Sequence, residues 1–128
     1  MRFLVFQHIA CEHPGSLRNA MDEHGIPWDA VELDEGEAIP PPEDYDALFV
    51  MGGPMDVWDI DRAPWLVAEK AAIRRAVLEL KMPYLGLCLG HRLLADATGG
   101  ACRKMATPEI GLLPVTATGA GAEDPLLA

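Results

Sequence analysis

Short apolar runs separated by polar, turn-forming residues set the pattern of this chain. Arg2 to Phe6 is one such run, and Trp28 to Leu33 a second, with Val31 and Leu33 alternating against acids. Ala47 to Met51 is a third and ends in Gly52-Gly53-Pro54. Runs this short, bounded by turn formers, read as strands. Between the first two, Leu17, Ala20, Met21 and His24 recur at helical spacing, with Ser16 as a candidate N-cap and Gly25 at the C′ position. From Pro64 to Lys81, Leu66, Ile73, Val77 and Leu80 form one helical stripe, Arg75 and Glu79 are spaced to pair, and Pro83 stops the run. Tyr84 to Cys88 then reads as a strand. Leu89 to Thr98 reads as a helix carrying Leu93, Leu94 and Ala97, closed by Gly99-Gly100.

Strands alternating with helices predict an α/β domain with a doubly wound, mostly parallel sheet and helices on both faces. Ligands of such sheets sit outside the carboxyl ends of the strands. Ala101 to Ala106 and Leu112 to Thr118 read as two further strands, forming a peripheral antiparallel pair. Asp34 to Asp46, with Pro40-Pro41-Pro42, is a connecting loop, because consecutive prolines donate no ladder bonds. Thr118 to Ala128 is expected to be loop.

Composition narrows the partners. A chain of 128 residues, half of them hydrophobic, is expected to be one domain with one core. Its formal charge of −10 repels phosphate backbones and anionic lipid, so no nucleic-acid or membrane role is expected. No run is long enough to span a bilayer, and the opening apolar run breaks at Gln7 and His8, too soon for a signal peptide. The expected place is the cytoplasm. Cys11, Cys88 and Cys102 are widely spaced, with no metal-ligand pattern, which predicts reduced thiols and no metal site.

The chemistry gathers at Gly86-Leu87-Cys88-Leu89-Gly90, a cysteine between glycines where a strand turns into a helix. This is the pattern of a nucleophile elbow, in which Gly86 and Gly90 let strand and helix approach closely. The positive end of the following helix favours negative charge at Cys88, and the Leu89 N–H faces the same space. Gly53, on the neighbouring strand end, is the candidate second backbone donor to an oxyanion. Cys11 and Cys102 lack this context and are expected to serve packing.

Taken in order, Gly52-Gly53-Pro54, Gly86-Leu87-Cys88-Leu89-Gly90-His91 and Pro108-Glu109-Ile110-Gly111 with Pro114-Val115 resemble the class I glutamine amidotransferases. The resemblance is closest to stand-alone members similar to the amidotransferase domain of GMP synthase. It implies a flavodoxin-like fold and hydrolysis of a glutamine, or other γ-glutamyl, amide. Cys88 would form a γ-glutamyl thioester, Gly53 and Leu89 would supply the oxyanion hole, and ammonia would pass to an acceptor. No cofactor is implied.

The chain departs from that family in two ways. The His-x-Glu pair that completes the family's site is absent: His8, His13, His24 and His91 all precede or abut the elbow, and none follows Ala106. His8, at the end of the first strand, is the one geometric substitute as base, while His91 reads as structural. Arg92 stands where the family usually has a glutamine that holds substrate. It either binds a more anionic γ-glutamyl compound or turns outward to pair with Asp96. These residues are expected to be a C-terminally truncated, partial domain, inactive alone, whose open sheet edge calls for self-association or a second polypeptide. Two other functions fit the same residues: a catalytically dead relative acting as a ligand sensor or partner-binding module, and a thiol redox or stress protein on a related fold.

Overall fold

Residues 1–126 are described by the structure, a computed structural model. Four strands, β1 (Phe3–Gln7), β2 (Trp28–Glu32), β3 (Ala47–Val50) and β4 (Tyr84–Gly86), form a wholly parallel sheet in the order β2-β1-β3-β4. The apolar runs therefore define the strands as expected, each within a residue or two. β1 lies inside the sheet, and Leu4, Val5 and Phe6 are all fully buried, the continuous burial of a strand covered on both faces.

The chain winds outward from β1 to β2, then returns past β1 to β3 and β4. Right-handed crossovers place α1 (Leu17–Glu23) on one face of the sheet and α2 (Trp65–Arg74) on the other. α3 (Leu89–Ala97) packs beside α2 and against β3 and β4. Leu66, Ile73, Leu89 and Leu93 from these helices meet Leu4, Phe6, Leu48 and Val50 of the sheet in one core. The strand order reverses between β1 and β3, and the crevice at that switch point is where doubly wound sheets bind ligands.

Register decides what stands in that crevice. Val31, Phe6, Val50 and Gly86 lie in one row across the sheet. His8, Gly52 and Cys88 each come two residues after a member of that row, so three separate segments leave the sheet together at its carboxyl edge.

Three sequence expectations are corrected. Ala101 to Ala106 and Leu112 to Thr118 form no strands, and hence no antiparallel pair. Ile110, Leu112 and Val115 are almost fully exposed, because alternation alone supplies neither a ladder partner nor a surface to cover. The second long helix does not run regularly to Lys81: it opens into a π turn over Arg75–Glu79, with the Leu80 N–H donating to the Arg75 carbonyl at 3.0 Å. The wider turn unstacks positions i and i+4, so Arg75 pairs with Glu43 through Nε at 2.7 Å and not with Glu79. Within the C-terminal stretch expected as loop, α4 (Gly119–Ala122) is a single turn capped by the Thr118 hydroxyl, which accepts from the Gly121 N–H at 3.1 Å. The remainder of that expectation, at 127–128, lies outside the described residues.

Candidate active site

β4 ends at Gly86, two residues earlier than the apolar run Tyr84 to Cys88 suggests. Leu87 still donates its N–H to the Val50 carbonyl at 2.9 Å, and Cys88 then takes φ +53°, ψ −100° before α3 begins. A side-chain-bearing residue in this region costs on the order of 1–3 kcal/mol and persists only where its surroundings impose it. Here they do. A Cβ on Gly86 would lie 2.7 Å from the Gly90 carbonyl carbon, and one on Gly90 would lie 2.8 Å from the Val50 carbonyl carbon. The first turn of α3 is thus pressed against the backbone of β3 and β4, as the flanking glycines predicted. The Gly90 N–H reaches the Met51 carbonyl at 3.2 Å, and the Tyr84 hydroxyl donates to the Gly90 carbonyl at 2.8 Å, closing the clamp. Within it the Cys88 residue is exposed, so the turn presents the thiol and does not bury it.

Gly52 and Gly53 are buried beside this elbow. A Cβ on Gly52 would come 3.7 Å from the Cβ of Cys88 and would overlap the carboxylate of Glu12. One on Gly53 would lie 2.9 Å from Cδ2 of Leu89. The two expected oxyanion donors, Gly53 and Leu89, are therefore neighbours, and an acid that the motifs did not single out, Glu12, lies against the same loop.

His8 is fully buried, and both of its ring nitrogens are engaged. Nδ1 is 2.8 Å from the Gly52 carbonyl oxygen and Nε2 is 2.8 Å from Oε1 of Glu69. Neither nitrogen is left for the Cys88 thiol, so the structure gives the expected substitute base a different place. Burial pulls the imidazole pKa down, but the hydrogen bond and charge of Glu69, the Gly52 carbonyl and the charge of Glu12 together hold it above its ordinary value. Sequence reading missed Glu69. The signal was available: it sits three residues after Leu66 and four before Ile73, an acid on the buried stripe of α2. Burial also raises the Tyr84 hydroxyl pKa far above its ordinary value, with the charge of Glu69 adding to the rise.

Arg92 does not pair with Asp96. Its Nη1 donates to Oδ1 of Asp56 at 2.8 Å, while Asp96 accepts from Nζ of Lys70 at 2.9 Å. Arg92 thus ties α3 to the loop that follows Gly52-Gly53-Pro54, and it lines a cavity of about 310 Å³ together with Trp58, Arg103 and Lys104. Cys102 donates its thiol to the Arg92 carbonyl at 3.3 Å, whereas Cys11 is exposed and does not serve packing as expected. His13, His24 and His91 are exposed. Among the described residues no three His, Cys, Asp or Glu side chains are grouped to hold a metal, and no helix is long and apolar enough to cross a membrane.

With this geometry in view, the chain can be set beside known proteins. Residues 15–117 match the glutamine amidotransferase class-I family. The glutamine amidotransferase-like protein YfeJ of Salmonella typhimurium is 35% identical over 134 residues, an alignment covering all of this chain and 55% of that protein. A protein of Halobacterium salinarum named as a subunit of the glutamine-hydrolyzing GMP synthase is 38% identical over 77% of this chain and 48% of its own length. A solved glutamine amido transferase from Methylobacillus flagellatus superposes with a TM-score of 0.78 at 34% identity, covering 86% of this chain and 43% of that one. The chain spans about half the length of the relatives it matches.

Proposed function

The chain belongs to the class-I glutamine amidotransferase family, and we propose that within it Cys88 is the nucleophile toward the side-chain amide of glutamine or a related γ-glutamyl compound. The observation that carries this reading is the backbone of Cys88, held at φ +53° in an elbow that exposes the thiol beside Gly52. The sulfur attacks the amide carbon, and the C–S bond forms as the carbonyl oxygen becomes an oxyanion, to which the Gly53 and Leu89 amides donate. Collapse breaks the C–N bond, releasing ammonia once the nitrogen is protonated and leaving a γ-glutamyl thioester. Water then returns the thiol and glutamate.

Both proton transfers need a base and acid. Among the described residues no histidine is hydrogen-bonded to Cys88: His8 is engaged on both sides, and His13, His24 and His91, the last one turn along α3 from the elbow, are exposed. The 128 residues by themselves are therefore expected not to turn glutamine over. A second polypeptide is part of this reading, as ammonia acceptor; that the Halobacterium relative is named as a subunit of the glutamine-hydrolyzing GMP synthase supports it. Arg92, its charge committed to Asp56, steadies the oxyanion loop and leaves glutamine as the favoured substrate.

The test uses cysteines already present. With a diazoketone analogue of glutamine, mass spectrometry is expected to find Cys88 modified first and stoichiometrically, while exposed Cys11 serves as the internal comparison. Equal labelling of Cys11 and Cys88 would overturn the proposal.

A further inference from the structure

The buried pair of His8 and Glu69 has no part in the chemistry assigned to Cys88, yet it occupies the β1/β3 switch point. Its proton inventory is constrained. The Gly52 carbonyl can only accept, so the Nδ1 atom 2.8 Å away carries a proton. A further proton lies between Nε2 and Oε1 of Glu69, and on whichever atom it resides, Nδ1 remains a donor to Gly52. The peptide joining Gly52 to Gly53 is trans and planar, so its C=O and N–H point in opposite directions. Holding the Gly52 oxygen toward His8 turns the Gly53 N–H away from it. Among the described residues that N–H donates to no backbone acceptor.

We propose that the His8–Glu69 couple is a positioning device: by clamping the Gly52 carbonyl, it fixes the orientation of the Gly52–Gly53 peptide and so aims the Gly53 amide at the oxyanion formed beside Cys88. This rests on the reading of Gly53 as an oxyanion donor. Packing agrees with it. A Cβ on Gly53 would stand 3.0 Å from the Cβ of His8, so the loop lies directly against the base of that side chain. Stability alone is a poor reason for the pair. Buried ion pairs are commonly no better than apolar replacements, and Oε2 of Glu69 is buried with no hydrogen-bond partner among the described residues. Two other ionisable groups face this unit: Glu12 from the segment after β1, and Tyr84 of β4, whose hydroxyl is bonded to the Gly90 carbonyl.

Two reagents separate the oxyanion hole from simple thiol reactivity in the full chain. A chloroketone analogue of glutamine alkylates through a tetrahedral oxyanion, whereas iodoacetamide displaces iodide directly. The ratio of their rates at Cys88 therefore reads the hole and cancels changes in thiol exposure. His8→Leu is expected to lower that ratio by roughly 10²-fold, the order lost with one oxyanion donor. His8→Asn, whose amide nitrogen stands where Nδ1 does, is expected to keep it within a few-fold. An undiminished ratio in His8→Leu overturns the clamp. No chloroketone preference in the unsubstituted chain instead overturns the oxyanion reading beneath it. If His8→Leu does not fold, the nitrogen-15 spectrum of the His8 ring decides: Nδ1 protonated in the folded chain supports the clamp, and Nδ1 unprotonated overturns it.

Discussion

Replacing Gly90 by alanine sets two physical effects against each other, and the structure fixes the sign. Gly90 is in the first turn of α3, where helix propensity alone predicts that alanine stabilises by about 1 kcal/mol. The added Cβ, however, would lie 2.8 Å from the Val50 carbonyl carbon and 3.0 Å from the Val50 Cβ, and closer still to the Val50 carbonyl oxygen. None of these atoms can swing aside, since Val50 is paired on both sides, to Phe6 and to Gly86. The helix must move outward instead. Overpacking of this kind costs about 1–3 kcal/mol, and losing the 3.2 Å bond from the Gly90 N–H to the Met51 carbonyl adds about 1 kcal/mol. The net expectation is a loss of about 2 kcal/mol, or roughly 8 °C in Tm for a chain of this size. Circular-dichroism melting is the assay, with Gly25→Ala as comparison, where φ is +62° but a Cβ would meet open space. Gly25→Ala should lose about 1 kcal/mol through backbone strain alone. Stabilisation by Gly90→Ala would show that close approach of α3 to β3 does not hold the elbow.

Other perturbations test other parts of the same account. Cys88→Gly is expected to raise stability by about 1 kcal/mol in urea unfolding, because glycine relieves the strain at φ +53° while the proposed nucleophile is lost. Leu66→Ala, at a fully buried position where α2 meets the sheet, should cost about 3 kcal/mol in the same assay. The raised pKa of His8 makes stability pH-dependent: its contribution is fully present below the ordinary value near 6.5 and is lost as pH rises through the higher folded value. Stability measured by urea titration should therefore fall as pH rises above about 6.5, and Glu69→Gln should remove most of that slope; an unchanged slope in the variant would show that Glu69 does not hold the proton on His8.

Some of this was legible because it is local. Period-two and helical spacing, turn glycines and proline stops mark β1 to β4 and the three main helices, and the glycines around Cys88 announce a turn too tight for side chains at 86 and 90. Where the reading failed, the missing information was the neighbour. Ala101 to Thr118 has alternating apolar residues but no partner strand among the described residues, so alternation did not become a ladder. Arg75 and Arg92 had correctly spaced acids on their own helices. Tertiary packing instead offered Glu43 and Asp56, and a π turn removed the first spacing altogether.

What the sequence by itself determined is the chain of strands and helices and the elbow that presents Cys88, since backbone sterics and side-chain periodicity act over a few residues. Only the tertiary structure decided the company Cys88 keeps. The register of parallel strands brings His8, Gly52 and Cys88 to one edge from distant parts of the chain. The packing of α2 on the sheet then drives Glu69 onto His8, turning a residue expected as a base into a buried prop for Gly52. Hydrogen-bond partners 44 and 61 residues away are set by how the layers close, which no local pattern encodes.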